Sequence, residues 1–232
     1  MANLSTYREF DYIDLDLIDY KEAWDLQKII FDHRVKKENK DTLLLLEHPH
    51  TYTLGKTADI SNLVSNQEFL DKYKISTYNI DRGGDITYHG PGQIVGYPII
   101  SLSDWKEDTH LYLRSLEEVI IKTIAHFGLK GERKNEFTGV WLEDRKICAI
   151  GIKISRWVTM HGFALNVNTN LDLFNGIIPC GIRDKEVTSI QKELNREIDI
   201  ENVKKIIVQE FINEFGYDSY TIKSKEVYYE IK

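Results

Sequence analysis

Apolar residues recur every three or four positions in three stretches of this chain. That spacing places them on one face of a 3.6-residue helix, so helices are predicted over 19–37, 108–127 and 201–215. In the first, Ala23, Leu26, Ile30 and His33 form the stripe and basic residues fill the last turn. In the second, Leu113, Leu116, Ile120, Ile124 and Phe127 do so, with Gly128 where a helix end belongs. In the third, Val203, Ile206, Ile207, Phe211 and Phe215 repeat the pattern ahead of Gly216. Six shorter apolar stretches read as strands: 42–47, 75–80, 94–100, 138–142, 146–154 and 157–168. The last three are joined by Glu143-Asp144-Arg145 and Ser155-Arg156, connections short enough for an antiparallel meander. Strands outnumber helices and neighbours are often hairpins. The expected fold is therefore α+β, a mixed, mostly antiparallel sheet flanked by helices. No repeat or Pro/Ser-rich linker interrupts residues 1–232, which read as a single domain.

Between two of these strands lies Arg82-Gly83-Gly84-Asp85-Ile86-Thr87-Tyr88-His89-Gly90-Pro91-Gly92-Gln93. Four glycines in twelve residues surrender packing and chain entropy, which an ordinary surface turn or a loop pressed against a ligand would each explain. The polar and aromatic residues between them favour the loop that binds.

The net charge of −7 argues against non-specific nucleic-acid binding, although basic residues cluster at 33–37 and 130–134. Those clusters read as solvated helix ends and turns, or as a docking patch for an acidic protein. No run approaches the ~18 apolar residues of a membrane helix. Met1-Ala2-Asn3-Leu4-Ser5 lacks the pattern of a secretory leader, and Cys148 and Cys180 are too few for a disulfide framework. A cytoplasmic protein that binds neither membrane nor nucleic acid is expected.

Cys180 lies between Pro179 and Gly181, in a setting as compatible with a nucleophile as with structure; Cys148 sits in an apolar strand, as a small hydrophobe does. A nucleophilic thiol needs a nearby cation or base. Lys146, Lys153, His89 and His161 are the candidates. His48-Pro49-His50 reads as a turn rather than a metal pair, and no Cys-x-x-Cys, His-Glu-x-x-His, phosphate loop or Gly-x-Ser-x-Gly elbow is present. No metal or cofactor is expected.

Taken together, four segments in order resemble one family. The glycine-rich run resembles the signature of the octanoyltransferases of lipoate biosynthesis, members of the biotin/lipoyl protein ligase superfamily. Leu44-Leu45-Leu46-Glu47-His48-Pro49 with Tyr52-Thr53-Leu54-Gly55 resembles their early strand and loop. Arg145-Lys146-Ile147-Cys148-Ala149-Ile150-Gly151 resembles their lysine-bearing strand. His161-Gly162-Phe163-Ala164-Leu165-Asn166-Val167-Asn168, then Pro179-Cys180-Gly181, resembles their nucleophile region. The resemblance covers about residues 40–190.

It implies the catalytic-domain fold of that superfamily and a two-step acyl transfer. Cys180 would take an octanoyl group from acyl carrier protein as a thioester. It would then pass that group to a lysine on a lipoyl domain of a 2-oxoacid dehydrogenase E2 subunit or on glycine cleavage H protein. Lys146 would lower the thiol pKa. Substrate contacts would fall on Arg82, Gly83, Gly84, Asp85, Ile86, Thr87, Tyr88 and His89, on Ala149, Ile150 and Gly151, and on Gly162, Phe163 and Ala164. The chain departs from the pattern at Ile178, where a polar residue is expected, and at the bulky Trp157-Val158-Thr159-Met160; both departures bear on the shape of the acyl site. An ATP-dependent lipoate or biotin ligase and a non-catalytic acyl- or lipoyl-binding module are the alternatives.

Overall fold

The computed structural model describes residues 7–178 and 186–229. The elements in chain order are β1 (Glu9–Leu17), α1 (Tyr20–Val35), β2 (Asp41–Glu47), β3 (Thr51–Leu54), α2 (Gln67–Tyr73), β4 (Ser76–Asn79), β5 (Ile86–His89), β6 (Gln93–Ile99) and α3 (Thr109–Ala125). They continue as β7 (Val140–Leu142), β8 (Arg145–Ser155), β9 (Val158–Asn166), β10 (Glu186–Val187), α4 (Ile190–Leu194), α5 (Ile200–Phe215), β11 (Ser219–Ile222) and α6 (Glu226–Tyr229).

The three helices read from periodicity form at those positions because both their faces and their ends agree. Asp19, Asp108 and Asp199 cap the N-termini, each carboxylate accepting from a backbone N–H of the first turn. Gly216 ends α5 in the left-handed conformation expected of it.

The main sheet runs β10-β8-β9-β6-β2-β1-β11, with β7 also on β8. A smaller sheet runs β4-β3-β5. Among the described residues five of the nine strand pairings are antiparallel, so the sheet is mixed with an antiparallel majority. The four parallel pairings involve elements that the hairpin reading did not contain: β1 lies between β2 and β11, β10 lies beside β8, and β3 pairs with β4. The glycine-rich run is also not one loop, because Ile86–His89 is a strand paired with β3. Its β-branched and aromatic residues suit the pleat once β3 offers a partner.

The two faces of the main sheet differ. One packs against α3 and α5 through Leu43, Leu45, Ile94, Phe163 and Leu165. The other packs against α1 through Leu44, Leu46, Val95, Tyr97 and Met160. A third apolar cluster fills the small sheet, with Tyr52, Tyr88 and Phe174. Alternate residues of the same strands feed opposite cores, as a sheet covered on both sides requires.

Candidate active site

Strands β8 and β9 pair from Cys148↔Leu165 to Ser155↔Val158 without a register break. Two alternate pairs along that ladder, which share a face, are Ala149↔Ala164 and Gly151↔Gly162, with Ile150↔Phe163 between them. Four residues with little or no side chain leave a shallow trough in the sheet, narrowed where Arg82 and Gly96 close in: a Cβ on Gly151 would stand 2.9 Å from Arg82 Cδ, and one on Gly162 2.2 Å from the Gly96 carbonyl oxygen. Around it opens a cavity of about 510 Å³. Its volume suits a small ligand rather than a single water.

The glycine-rich segment walls this trough by backbone contact. Gly83 N–H donates to the Ile152 carbonyl at 2.9 Å. A Cβ on Gly151 would stand 3.0 Å from the Gly83 carbonyl oxygen, and one on Gly55 would stand 2.2 Å from that of Gly84. Gly84 itself has φ +89°, where side chains are rare. The glycines thus serve close approach of three backbone segments.

A directional hydrogen-bond chain runs from this segment to the lysine-bearing strand. Buried Arg82 donates through Nη2 to the Thr53 carbonyl at 2.9 Å and to Thr53 Oγ1 at 3.0 Å. Thr53 Oγ1 stands 3.4 Å from His89 Nε2, and His89 Nδ1 donates to Gln93 Oε1 at 2.8 Å. Gln93 Nε2 donates to Asn166 Oδ1 at 2.9 Å, and Asn166 Nδ2 donates to the Thr188 carbonyl at 2.9 Å. Thr188 N–H then donates to the Lys146 carbonyl at 2.9 Å. Burial holds the His89 imidazole well below its ordinary pKa, so it is a neutral ring with one donor and one acceptor.

Lys146 reaches the cavity because β8 is bulged. Val140 pairs with Cys148 and Trp141 with Lys146, so one step on β7 spans two on β8 and Ile147 is the extra residue. The bulge reverses the alternation, placing Lys146 on the trough side with Ala149 while Ile147 and Cys148 enter the opposite core. Lys146 Nζ sits 4.8 Å from the Trp141 ring centroid, a cation–π distance. On its other side β10 pairs Val187 with Lys146. The structure therefore brings the far flank of the 179–185 segment to Lys146. Cys180 lies outside the described residues.

Of the remaining predicted contacts, Arg82, Gly83, Gly84, Asp85, Ile86, Thr87 and His89 all line the cavity, as do Ala149, Ile150, Gly151, Gly162, Phe163 and Ala164. Tyr88 stands apart from it. Its ring packs edge-on against Phe174 in the third cluster, and its hydroxyl lies 2.8 Å from His50 Nδ1. Cys148 is fully buried, and burial pushes its thiol far up from its ordinary pKa. Lys153 pairs with Asp81, whose other carboxylate oxygen accepts from His161. Residues 157–160, bulky as they are, do not line the cavity; Trp157 instead tips a hairpin in which Arg156 and Trp157 both have positive φ. Ile178 N–H donates to the Asn62 carbonyl at 2.8 Å.

The basic clusters are largely spent on internal pairs. Arg34 Nε bonds Asp41 at 2.7 Å below the surface, and Arg133 and Lys134 pair with Glu117, Glu118 and Asp144. Besides Thr57, Leu113 and residues 136–138, the cavity wall includes the buried residues Tyr20, Val95 and Tyr97. Sequence reasoning passed over them because each also reads as an ordinary core residue. Among the described residues no group of three or more His, Cys, Asp or Glu could hold a metal ion. Nor is any helix among them long and apolar enough to cross a membrane.

Residues 19–212 match the lipoyl protein ligase A/B catalytic domain family, and the chain belongs to that family. Relatives named octanoyltransferase include one from Christiangramia forsetii, 49% identical over 88% of this chain and 94% of its own. Another, from Rubrobacter xylanophilus, is 52% identical over 86% of this chain and 90% of its own. The fold is shared with more distant structures. A bipartite lipoate protein ligase from Thermoplasma acidophilum superposes with a TM-score of 0.74 at 15% identity, covering 96% of this chain and 91% of its own. Lipoate-protein ligase A, solved with bound ATP, gives 0.73 at 13% identity, covering 96% and 92%.

Proposed function

We propose that this chain is an octanoyltransferase of lipoate biosynthesis, acting as one catalytic domain. The observation that carries the reading is the trough of Ala149, Gly151, Gly162 and Ala164, with Lys146 turned toward it by the β8 bulge. A trough bare of side chains suits an unbranched acyl chain, and a lysine at its end suits a thiol that must ionise.

Cys180 is the nucleophile in this account. Its thiolate attacks the carbonyl of an octanoyl thioester on acyl carrier protein; the new C–S bond forms as the carrier's thiolate leaves and takes up a proton. The amine of the acceptor lysine then attacks the enzyme thioester, loses a proton, and releases Cys180 as thiolate. The exchange between thioesters is nearly isoenergetic, so no nucleotide is consumed. Acceptors are lipoyl domains, of the 2-oxoacid dehydrogenase E2 and glycine cleavage H protein kind, and the setting is the cytoplasm. Replacement of Lys146 by Ala should raise the pH midpoint of Cys180 alkylation by about one to three units. An unchanged midpoint would remove Lys146 from this role.

The ligase alternative is separated by nucleotide. Octanoyl carrier protein and a lipoyl domain, mixed with the enzyme in the absence of ATP, should yield an octanoylated domain by mass. A product formed only from free octanoate and ATP would establish the ligase instead, and stoichiometric complexes without product would establish a binding module.

A further inference from the structure

Alternation along β9 sends Phe163 and Leu165 into the core under α3 and α5, and residue 161 should follow them. It does not. His161 has φ +57° inside a regular ladder, and its ring lies on the other face, against Trp24 and Tyr97 with ring centroids 6.4 and 6.3 Å away. Two contacts hold this left-handed residue. Its N–H donates to Gln27 Oε1 at 2.9 Å, and its Nε2 donates to Asp81 Oδ1 at 2.9 Å. A non-glycine residue in this conformation, held by built-in partners and lining the cavity, marks a position where the ring's placement is required.

The position is one step beyond the trough. The pair after Gly151↔Gly162 is Ile152↔His161, where Ile152 packs toward the α3/α5 core and the His161 ring is the side chain brought onto the trough face. From Ala149 to Ile152 a strand advances about 10 Å. An extended eight-carbon chain, with C–C bonds of ~1.5 Å, spans roughly 9 Å. We infer that His161, braced by Gln27 and Asp81, is the end stop of the trough and limits the acyl chain it accepts. The inference rests on the octanoyl-transfer reading and adds to it the residue that sets chain length.

The test compares octanoyl, decanoyl and dodecanoyl carrier protein as donors to the wild-type enzyme and to His161→Gly. Glycine suits the left-handed backbone, so the variant removes the ring without forcing the strand to rearrange. The dodecanoyl-to-octanoyl rate ratio should rise at least about tenfold, as burial of two or more further methylenes would produce. His161→Asn, which also tolerates positive φ, should give a smaller rise in the same ratio. Equal loss of rate with all three donors in both variants would make His161 a base or a structural group and overturn the inference. A wild-type enzyme that transfers none of the three would instead overturn the octanoyl-transfer reading itself.

Discussion

Ala164 and Leu165 are neighbours on β9 with opposite surroundings. Leu165 is fully buried in the core under α3 and α5, packed with Ile94, Ile147 and Phe163 from the neighbouring strands and its own. The Phe163 ring, for example, fills the space above Gly96, where a Cβ would stand 2.1 Å from the ring carbon Cζ. Ala164 faces the α1 side, and there the same strands carry Ala149 and Gly151 beside the cavity. At Ala164 and Leu165, then, one strand meets the cavity on one side and a sealed core on the other. Stability and function are thereby assigned to alternate residues.

That division can be broken from either side. Leu165→Ala should cost about 2–5 kcal/mol by leaving a cavity in the sealed core, read as a lowered urea midpoint, with transfer by the remaining folded enzyme close to normal. Ala164→Leu should do the reverse. The added side chain occupies the trough and should depress octanoyl transfer by about a hundredfold, through a misplaced acyl chain. Its unfolding free energy should change by less than about 1.5 kcal/mol, because space is available on that face. If the two variants affected stability alike, the two faces would not differ in the way described.

The trough face also buries imidazoles, which makes it the acid-sensitive side. His48 is buried between the Ile18 carbonyl and the Tyr97 hydroxyl, at 2.9 and 2.8 Å, and burial lowers its pKa to about 4. The unfolded ring takes a proton near pH 6.5. His48 thus contributes fully above pH 6.5, and its contribution falls away as pH drops toward 4, by roughly 1 kcal/mol at pH 5.5. His48→Gln, which keeps a donor and an acceptor without titrating, should flatten the slope of unfolding free energy against pH between 6.5 and 5.

The sealed face was the more legible in the sequence. Helical stripes such as Leu116, Ile120 and Ile124 announce a buried surface because the period repeats. The trough was legible through its motifs but not its geometry. Nothing local marks Ile147 as a bulge, since the extra residue exists only relative to β7. Nothing marks His161 as left-handed, since its backbone is set by Gln27, 134 positions earlier. β1 escaped notice for a related reason. Aspartates at 11, 14 and 16 weaken its strand signal, and its partners β2 and β11 come from distant parts of the chain. The glycine-rich segment reads as a loop, yet three of the residues it gives the cavity, Ile86, Thr87 and His89, stand on the regular strand β5, recognisable only once β3 lies beside it.

Transfer by this route requires Cys180 to carry the acyl chain. Incubation of the enzyme with octanoyl carrier protein, followed by intact-mass analysis and peptide mapping, tests it most directly. The expected result is a single octanoyl adduct on Cys180, present in Cys148→Ser and absent from Cys180→Ser. An adduct that persists in Cys180→Ser would contradict it.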